Sequence, residues 1–393
     1  FTTTRNTVAT RVNENGLIEE VASNVPRLDY SDGGCPSLLL EPQRLQKIQY
    51  SEDFSQSYWE KSTTTIISNN AISPDGTLNA TKLREINSNG IHRIRRNASV
   101  SVSPNASIGV FAKAVERDWI VVREGATTGA QAYFNIKDGY IGQISSGAIP
   151  TIEDYGNGWF RCSISRDVTS ASIDIRVAQS DGVESYQGDG ASGVYIWGAQ
   201  LEQGSYPTSY IPNYGTSAGI TRSADTANGA GNSTVINSSE GVLYFESKSF
   251  LSNGSDTRIS ISDGTLNNRV SFSYGSGTNQ VYCLVTMGGV PVLVSTSLAL
   301  SNLDEYKKFA IKWKNGDNSF YVNGVEIFNS TTTFTSGVMN QLQFVGSSGY
   351  LPFYGNTKQI QYFDSALNDS DLEKLTSWTS FTAMANALNY TII

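Results

Sequence analysis

The chain has 393 residues, more than the roughly 100–200 of a typical domain, so its length predicts two globular domains with connecting segments. Only 16% of the residues are charged, against about 25% in an average protein, and 36 are glycine, a composition that predicts an all-β protein. The formal net charge of −8 gives no attraction to phosphate backbones and argues against nucleic acid as a partner.

Histidine and cysteine are too scarce for the common metal centres. One histidine, His92, and three distant cysteines, Cys35, Cys162 and Cys283, cannot supply a structural zinc site, and we expect the cysteines to be buried thiols. No apolar run approaches the length of about 18 residues that spans a bilayer, and the N-terminus lacks the pattern of a secretory signal. The sequence therefore predicts no cofactor and no membrane partner.

Residues 1–47 are irregular. Alternating apolar residues lead into Asn15-Gly16, a dipeptide that favours the tight turn of a hairpin. Beyond it, Pro26, Gly33-Gly34 and Pro36 interrupt every regular pattern. We expect an attachment arm or collar with too few apolar residues for a core of its own.

Residues 48–213 show short runs with period-two alternation between turn residues, which predicts a β-sandwich. In one run, Ile173 and Ile175 share one face and Asp174 and Arg176 the other, which predicts a half-buried antiparallel strand. The predicted strands are Ile108–Ala114, Trp119–Arg123, Ala132–Ile136, Trp159–Ser165, Ser172–Ala178 and Val194–Trp197.

Residues 214–236 are rich in small and polar residues and are predicted to be a linker. Ten further alternating runs within 237–379 predict a second sandwich. A single helix is predicted at Asp369–Trp378, where Ser370 and Glu373 have the spacing of a capping box. Residues 380–393 are left as a C-terminal tail.

One hairpin of the second sandwich can be predicted in register. A two-residue Asn323-Gly324 loop would pair Val322 with Val325 and Phe320 with Ile327. All four side chains would then lie on one face, which we expect to be the core face.

Three stretches resemble tailed-bacteriophage structural proteins. The stretch 5–45, RNTVATRVNENGLIEEVASNVPRLDYSDGGCPSLLLEPQRL, is similar to a leader found in phage fibre, tail and head-decoration proteins. Residues 50–211, with YSEDFSQSYWEK and GVYIWGAQLEQGSYPTSYIP at their ends, resemble a carbohydrate-binding-module-like jelly roll. Residues 241–379, with FAIKWKNGDNSFYVNGVEI and IQYFDSALNDSDLEKL, resemble a concanavalin A-like, laminin-G-type sandwich.

These resemblances imply a virion protein, a fibre or a capsid or tail decoration, at the surface of a phage particle. Residues 1–47 would contact other virion proteins, and a homo-oligomer, with a trimer favoured, would display the two lectin-like sandwiches. The sandwiches would bind host surface glycans or, alternatively, serve only as spacers in assembly, because fold alone does not establish sugar binding.

Sugar sites combine an aromatic face with planar polar groups. In the first sandwich, side chains of these types share strand faces, and a pair of arginines on one face would suit an acidic polysaccharide. The candidate carbohydrate-binding residues are Trp119, Arg123, Tyr133, Asp174, Arg176, Arg93 and Arg95. The alternative is that Trp119 and Tyr133 belong to the core and the arginines form solvated or interface ion pairs.

Other aromatic residues have a structural interpretation. Trp159, Trp197 and Trp313 lie in apolar strand patterns and are predicted to be core residues. Tyr350, in a loop flanked by glycine, is either an exposed tip or a contact with the neighbouring domain.

The sequence predicts no enzyme. Glucanases with the concanavalin A-like fold carry Glu-x-Asp-x-x-Glu on one strand, and no strand in 241–363 has it. A Ser-His-Asp arrangement would depend on a single residue, because His92 is the only histidine. A depolymerase is the less favoured alternative. Asp263-Gly264 and Asp317-Asn318 could bind calcium, although turn chemistry explains both pairs equally well.

Overall fold

The computed structural model describes residues 1–102, 104–125, 129–145, 147–250, 256–277 and 279–377, without the side chain of Asn97. The predicted tail 380–393 and Trp378 lie outside these ranges. The chain divides into two compact units. The first unit contains Asn6–Pro36 and Pro42–Ala224, and the second contains Phe1–Arg5, Ser37–Glu41 and the chain from Asp225 onward.

Apart from one short helix, the regular secondary structure of the described residues is β-strand, as the composition predicts. In chain order the elements are β1 Thr2–Thr4, β2 Ala9–Val12, β3 Ile18–Val21, β4 Arg27–Asp29, β5 Ser37–Leu40, β6 Arg44–Gln46, β7 Glu60–Ser62, β8 Thr64–Ala71, β9 Ala80–Glu85, β10 Asn89–Ile91, β11 Arg93–Ser101, β12 Asn105–Ala114, β13 Trp119–Glu124, β14 Gln131–Asn135, β15 Tyr140–Ile144, β16 Ile149–Asp154, β17 Trp159–Asp167, β18 Ser170–Ala178, β19 Ser185–Gln187, β20 Gly193–Gln203, β21 Ile220–Arg222, β22 Thr226–Asn228, β23 Glu240–Ser249, β24 Thr257–Ser262, β25 Arg269–Tyr274, β26 Gln280–Met287, β27 Val290–Val294, β28 Leu298–Ala299, β29 Lys307–Lys314, β30 Asn318–Val322, β31 Val325–Ser330, β32 Gln341–Gln343, β33 Gly355–Phe363 and α1 Asp369–Ser377.

The first unit is a sandwich of two six-stranded antiparallel sheets. One has the strand order β15-β14-β13-β18-β11-β7, and the other has β16-β17-β12-β20-β9-β8. Alternate residues of both sheets meet between them, among them Ile120 and Ile175 from one and Val110 and Ile164 from the other, each at most 1% exposed. All six strands predicted in this unit form, because the period-two pattern matches the two faces of a strand.

Strand β18 confirms the predicted alternation but not the half-buried character. Ile173 and Ile175 are fully buried in the core, and Asp174 and Arg176 on the opposite face are only 1% and 4% exposed. The outer face of this central strand is covered because the charged side chains of adjacent strands close over it. The prediction of a solvent-facing side is therefore wrong.

Residues 1–47 are divided between the two units rather than forming a separate segment. The Asn15-Gly16 hairpin forms, with β2 paired to β3 and Gly16 at φ 75°. Its Ile18 packs in a cluster with Trp159 and Trp197, so this part of the segment shares the core of the first unit. Both tryptophans are at most 2% exposed, which confirms their predicted structural role.

The second unit is also a two-sheet sandwich. One sheet contains strands in the order β31-β30-β29-β23-β33-β5, and the other has β27-β26-β25-β24-β32. Phe245, Phe272, Phe309 and Trp313 are fully buried between them, as predicted for Trp313. Helix α1 packs its leucines on the outer side of the first of these sheets. Strand β5 joins that sheet, although its residues were predicted to lie in the N-terminal arm.

The β30–β31 hairpin departs from its predicted register. Asn323 and Gly324 form the turn with positive φ and Val322 faces Val325, as predicted. A bulge then shifts the ladder by one residue, so Phe320 faces Phe328 instead of Ile327. Val325 is 58% exposed, which makes its predicted core position wrong.

Two smaller expectations concern cysteines and membranes. Cys162 and Cys283 are buried free thiols as predicted, whereas Cys35 is exposed because it lies in a polar turn between β4 and β5. Within the residues that the structure describes, no helix has the length and apolar character needed to cross a bilayer.

A buried ion pair anchors the N-terminal strand in the second unit. Arg5 Nη1 donates to Asp225 Oδ1 at 2.9 Å, both side chains are at most 1% exposed, and the Glu41 backbone N–H donates to Asp225 Oδ2 at 3.0 Å. We expect Asp225→Ala to lower the free energy of unfolding by about 3–5 kcal/mol, because it removes the carboxylate that pairs with the buried Arg5 guanidinium. Urea unfolding measures this, and Glu305→Ala, which removes an exposed carboxylate paired with Lys307, should lower the free energy of unfolding much less.

Candidate functional site

The seven predicted carbohydrate-binding residues lie on one face of one sheet. Arg123 on β13 faces Asp174 on β18, and Asp174 in turn faces Arg95 on β11. Arg176 likewise faces Arg93 on β11 and Val121 on β13, and Val121 in turn faces Tyr133 on β14. Trp119 shares this face because it is two residues from Val121. The sequence identified these residues strand by strand, and the strand order brings them together.

Most charged side chains of this face form ion pairs, whereas Arg123 Nη1 donates to Gln131 Oε1 at 2.7 Å. Asp174 Oδ2 accepts from Arg176 Nη2 at 2.6 Å and lies 3.5 Å from Arg93 Nη1. Arg176 Nη1 also reaches Glu184 at 2.9 Å, and Arg95 Nη2 reaches Glu60 at 2.6 Å. The arginines expected to bind an acidic polysaccharide therefore already have carboxylate partners, which matches the structural alternative for them.

The two aromatic residues of the face differ in accessibility. Tyr133 is 5% exposed, and burial, with the nearby Glu184 charge, raises its pKa to about 12. Trp119 is half-buried and makes an edge contact with Tyr140, whose ring is 5.5 Å away and whose side chain is 49% exposed. Only the Trp119–Tyr140 end of this face therefore offers aromatic surface to a ligand.

Asp174 is expected to be a stabilising residue. Asp174→Asn removes the carboxylate between Arg93 and Arg176, and the buried guanidinium groups then repel each other. We expect the free energy of unfolding of the first unit to fall by about 2–4 kcal/mol in urea titrations. The exposed-pair control Glu60→Gln should cost less than about 1 kcal/mol, and equal losses in both variants would contradict this assignment.

A cleft of about 510 Å³ lies elsewhere in the first unit, where the 50–56 loop and Asn213-Tyr214 approach strands β8 and β9. Its volume falls within the range of about 300–1,000 Å³ of ligand sites. It is lined by Tyr50, Glu52, Asp53, Ser55, Gln56, Ser68, Asn69, Asn79, Thr81, Asn213 and Tyr214. Aromatic rings, amides, hydroxyls and two carboxylates line it, and this lining contains no lysine or arginine.

Two features open the cleft to a ligand. The β8–β9 ladder shifts between Ile67 and Ala71, and Asn69 there has a φ of 52°, so this edge strand bulges. Tyr214, bridged to Tyr50 through the backbone, is 70% exposed. An exposed aromatic ring thus stands beside irregular backbone that carries polar side chains.

Hydrogen bonds hold the polar wall of the cleft in place. The Tyr210 hydroxyl donates to Glu52 Oε1 at 2.9 Å, and Asn79 Nδ2 donates to Glu52 Oε2 at 3.2 Å and to Asp75 Oδ2 at 3.1 Å. The oxygen of the same amide, Asn79 Oδ1, is buried and has no hydrogen-bond partner in the part of the chain that the structure describes. A buried acceptor without a donor is costly, and a ligand hydroxyl could satisfy it.

Glu52 is the most perturbed acid of the cleft. Burial raises its pKa to about 7, and the neighbouring Asp75 charge acts in the same direction, against the hydrogen bond from Tyr210. Asp53 differs: burial opposes its ionisation, but hydrogen bonds from Ser55 and Gln56 lower its pKa. At neutral pH the cleft therefore holds one carboxyl that is partly protonated beside one that is ionised.

The Glu52 pKa predicts a pH dependence of stability. The pKa of Glu52 is about 7 in the folded state and about 4.3 in the unfolded state. The stability that protonated Glu52 contributes is therefore complete below about pH 4.3 and is lost as the pH rises through about 7. Wild-type protein should thus lose about 1–3 kcal/mol between pH 5 and pH 8 relative to Glu52→Gln, measured by urea unfolding. Asp53→Asn is the control, because the lowered pKa of Asp53 confines its effect on stability to pH values below about 4. If the stability of Glu52→Gln changed with pH in parallel with that of the wild type, the prediction would be wrong.

Sequence reasoning missed this cleft. Tyr214 was assigned to the linker, and Glu52, Asn79 and Asn213 lie in turns with no strand periodicity. The available signal was a set of hydrogen-bonding residues around Tyr50 and Tyr214, which are 164 positions apart in the sequence, so their proximity could not be read from it.

The remaining candidates have local roles. Asp263 accepts hydrogen bonds from Thr265 and Asn268 within its own turn, and Asp317 pairs with Lys312 Nζ at 2.7 Å. His92 is fully buried, and its ring nitrogens face the backbone oxygens of two other residues. Within the described ranges, no three His, Cys, Asp or Glu side chains cluster in a way that could hold a metal ion.

No protein-family model matches the chain, and no curated protein matches it. Among solved structures, the IT-sialidase CBM40 of Ruminococcus gnavus is 19% identical, covers 39% of this chain and 95% of its own, and has a TM-score of 0.31. A heptameric SAP-like pentraxin from Limulus polyphemus is 12% identical over 36% of this chain and 72% of its own, with a TM-score of 0.28. Domains LG4-5 of the mouse laminin alpha1 chain are 10% identical over 72% of this chain and 89% of their own, with a TM-score of 0.26. Similarity this low is no argument for a shared ligand.

Proposed function

We propose that this protein is a structural component of a bacteriophage particle, a fibre or a capsid or tail decoration, whose lectin-like sandwiches bind glycans on the host surface. The cleft beside Tyr214 is the binding site in the first unit, and it binds sugar without cleaving it. The virion part of the proposal is supported by the leader-like stretch 5–45 and by the order of the two sandwich-like regions behind it.

One observation carries the glycan part. Tyr214 is 70% exposed at the rim of a 510 Å³ cleft whose wall contains the unpaired, buried acceptor Asn79 Oδ1. A pyranose ring presents an apolar face that stacks on an aromatic side chain, and its hydroxyls donate to and accept from planar polar groups. Tyr214, Asn79 and Gln56 provide these elements within one site.

The charge of the cleft restricts the sugar. Glu52 and Asp53 both line it without a cation in the lining, so an anionic sugar would meet like charge. Partly protonated Glu52 and the amides supply both donors and acceptors for hydroxyl groups. The cleft therefore favours an uncharged hexose or a short neutral oligosaccharide.

Oligomerisation would compensate for weak binding at each cleft. A shallow sugar site offers few fully buried contacts, and linking several copies raises the effective concentration of each further site. The proposed trimer and many copies per particle would provide this multivalency. Light scattering of the full chain tests the oligomer, and a monomer at micromolar concentration would contradict it.

Replacing Tyr214 tests the cleft. Tyr214→Ala should lower the affinity of the full chain for a neutral host-surface glycan at least tenfold, because the stacking surface is lost, while Tyr140→Ala should leave it unchanged. Glycan-array screening followed by calorimetry on the best neutral ligand measures both variants. The reverse pattern would move the site to the face that carries Trp119, and no binding to any host polysaccharide would leave only a role in assembly.

Two further readouts test the rest of the proposal. Antibodies raised against the chain should label intact phage particles, and absence of labelling would refute a virion location. Incubation with the bound polysaccharide should release no reducing ends, and their release would identify a depolymerase instead.

A further inference from the structure

The second unit has a patch of polar side chains on the outer face of its β27-β26-β25-β24-β32 sheet. Ile259 and Ile261 of β24 and Phe272 of β25 point into the core, so the residues between them point away from it. Directly across the β24–β25 ladder, Ser260 faces Ser271 and Arg258 faces Ser273. Short serine side chains thus form the floor of this face, with longer side chains around them.

The serine floor is buried even though it lies on the outer face. Ser260, Ser271 and Ser273 are at most 3% exposed. Ser260 Oγ donates to the Val345 carbonyl at 2.6 Å, whereas Ser271 Oγ is buried and has no hydrogen-bond partner within the described ranges. An unpaired buried hydroxyl costs free energy that a bound acceptor would recover.

Two arginines at the margin of the floor differ in their partners. Arg258 Nη2 donates to Asp256 Oδ2 at 3.2 Å and to the Tyr282 hydroxyl at 3.0 Å, and the same hydroxyl also hydrogen-bonds to Asp256. Arg258 is therefore oriented and its charge is compensated. It forms a fixed edge of the polar patch beside Tyr282.

Among the residues that the structure describes, no carboxylate pairs with Arg269. It lies two residues before Ser271 on β25, so both side chains point to the same face, and it is half-buried. Its Nε is buried without a hydrogen-bond partner. Burial and then the positive charge of Arg258 lower its pKa, and no carboxylate is among the groups that act on it.

A partly buried guanidinium beside a second cation, without an anion, is electrostatically unfavourable. A carboxylate or sulfate group would bind in the planar, bidentate geometry that a guanidinium fits, and it would also accept a hydrogen bond from Ser271 Oγ. This complementarity is opposite in sign to that of the cleft in the first unit. The two units therefore differ in the charge of the ligand that they suit.

An exposed aromatic residue lies near the polar patch that contains the two arginines. The backbone N–H of Arg258 donates to the Leu351 carbonyl at 3.0 Å, and the preceding residue, Tyr350, is 74% exposed. Phe353, from the same loop, is buried in the core and holds the loop to the sandwich. Tyr350 is thus an exposed tip next to the strand that carries Arg258, and its ring is available to stack on a sugar.

We propose that the second unit binds an acidic glycan, with a uronate carboxylate or a sulfate ester held between Arg269 and Ser271 Oγ and a sugar ring on Tyr350. The anion site rests on the geometry of this sheet alone, whereas the choice of a glycan as its carrier rests on the proposed adhesive function. The protein would then have one site for neutral sugar and one for acidic sugar.

The test uses the full chain at low ionic strength and four probes: hexagalacturonate, a sulfated carrageenan oligosaccharide, maltohexaose as a neutral chain, and sodium sulfate alone. Calorimetry should show binding of at least one acidic oligosaccharide, tighter than sulfate at the same ionic strength. Arg269→Gln should weaken that binding at least tenfold, and Arg269→Lys should recover only part of it because the bidentate geometry is lost. Lys314→Gln removes one exposed positive charge from the same unit and should change the affinity less than twofold.

Thermal unfolding gives a second readout that does not depend on the carrier. Sulfate should raise the Tm of the wild-type chain more than that of Arg269→Gln, and without ligand the variant should be at least as stable as wild type because an uncompensated charge is removed. Unchanged acidic-glycan binding in Arg269→Gln, or none in wild type, would refute the site. Equal affinity for sulfate and for the acidic oligosaccharides would refute the glycan carrier. Acidic binding that is lost in Arg269→Gln but kept in Tyr214→Ala would support this site even if the cleft binds nothing.

Discussion

Burial of one face of each strand is the constraint on which the rest of this structure depends. In both units two antiparallel sheets enclose apolar side chains from alternate positions, such as Ile175 in the first and Phe272 in the second. Each fully buried side chain of this size contributes about 1.5–3 kcal/mol, so the register of every strand is fixed by the need to keep its apolar set inside. The opposite face of each strand is then free to carry polar chemistry.

What an outer face can do depends on whether its charges are paired within it. Around Asp174 the arginines of neighbouring strands share carboxylates, so the face is largely satisfied by its own residues. On the second unit the same kind of arrangement is incomplete, because Arg258 has Asp256 while Arg269 lacks a carboxylate. The same residue types thus form a structural network in one sheet and a proposed anion site in another.

The edges of a sandwich offer a different opportunity from its faces. Where β8 bulges, the ladder is interrupted and turn residues replace strand residues around the opening. Glu52 and Asn79 are held there by hydrogen bonds rather than by periodic packing. Shielding from water shifts the Glu52 pKa, whereas Tyr214 remains in solvent, so one cleft combines a desolvated polar wall with an accessible aromatic ring.

The sequence by itself determined the all-β class, the two sandwiches, most strand positions and the buried tryptophans, because strand periodicity and turn chemistry are local properties. It also supplied, strand by strand, the seven polar and aromatic residues that the strand order brings to one sheet face. It could not determine that Phe320 faces Phe328, that β5 joins the second unit, or that Asp174 has cationic partners, since these depend on bulges and strand order. Tertiary structure alone decided which residues line the Tyr214 cleft. It also decided that Arg269 has no carboxylate partner among the described residues, because pairing and desolvation depend on residues that are distant in the chain.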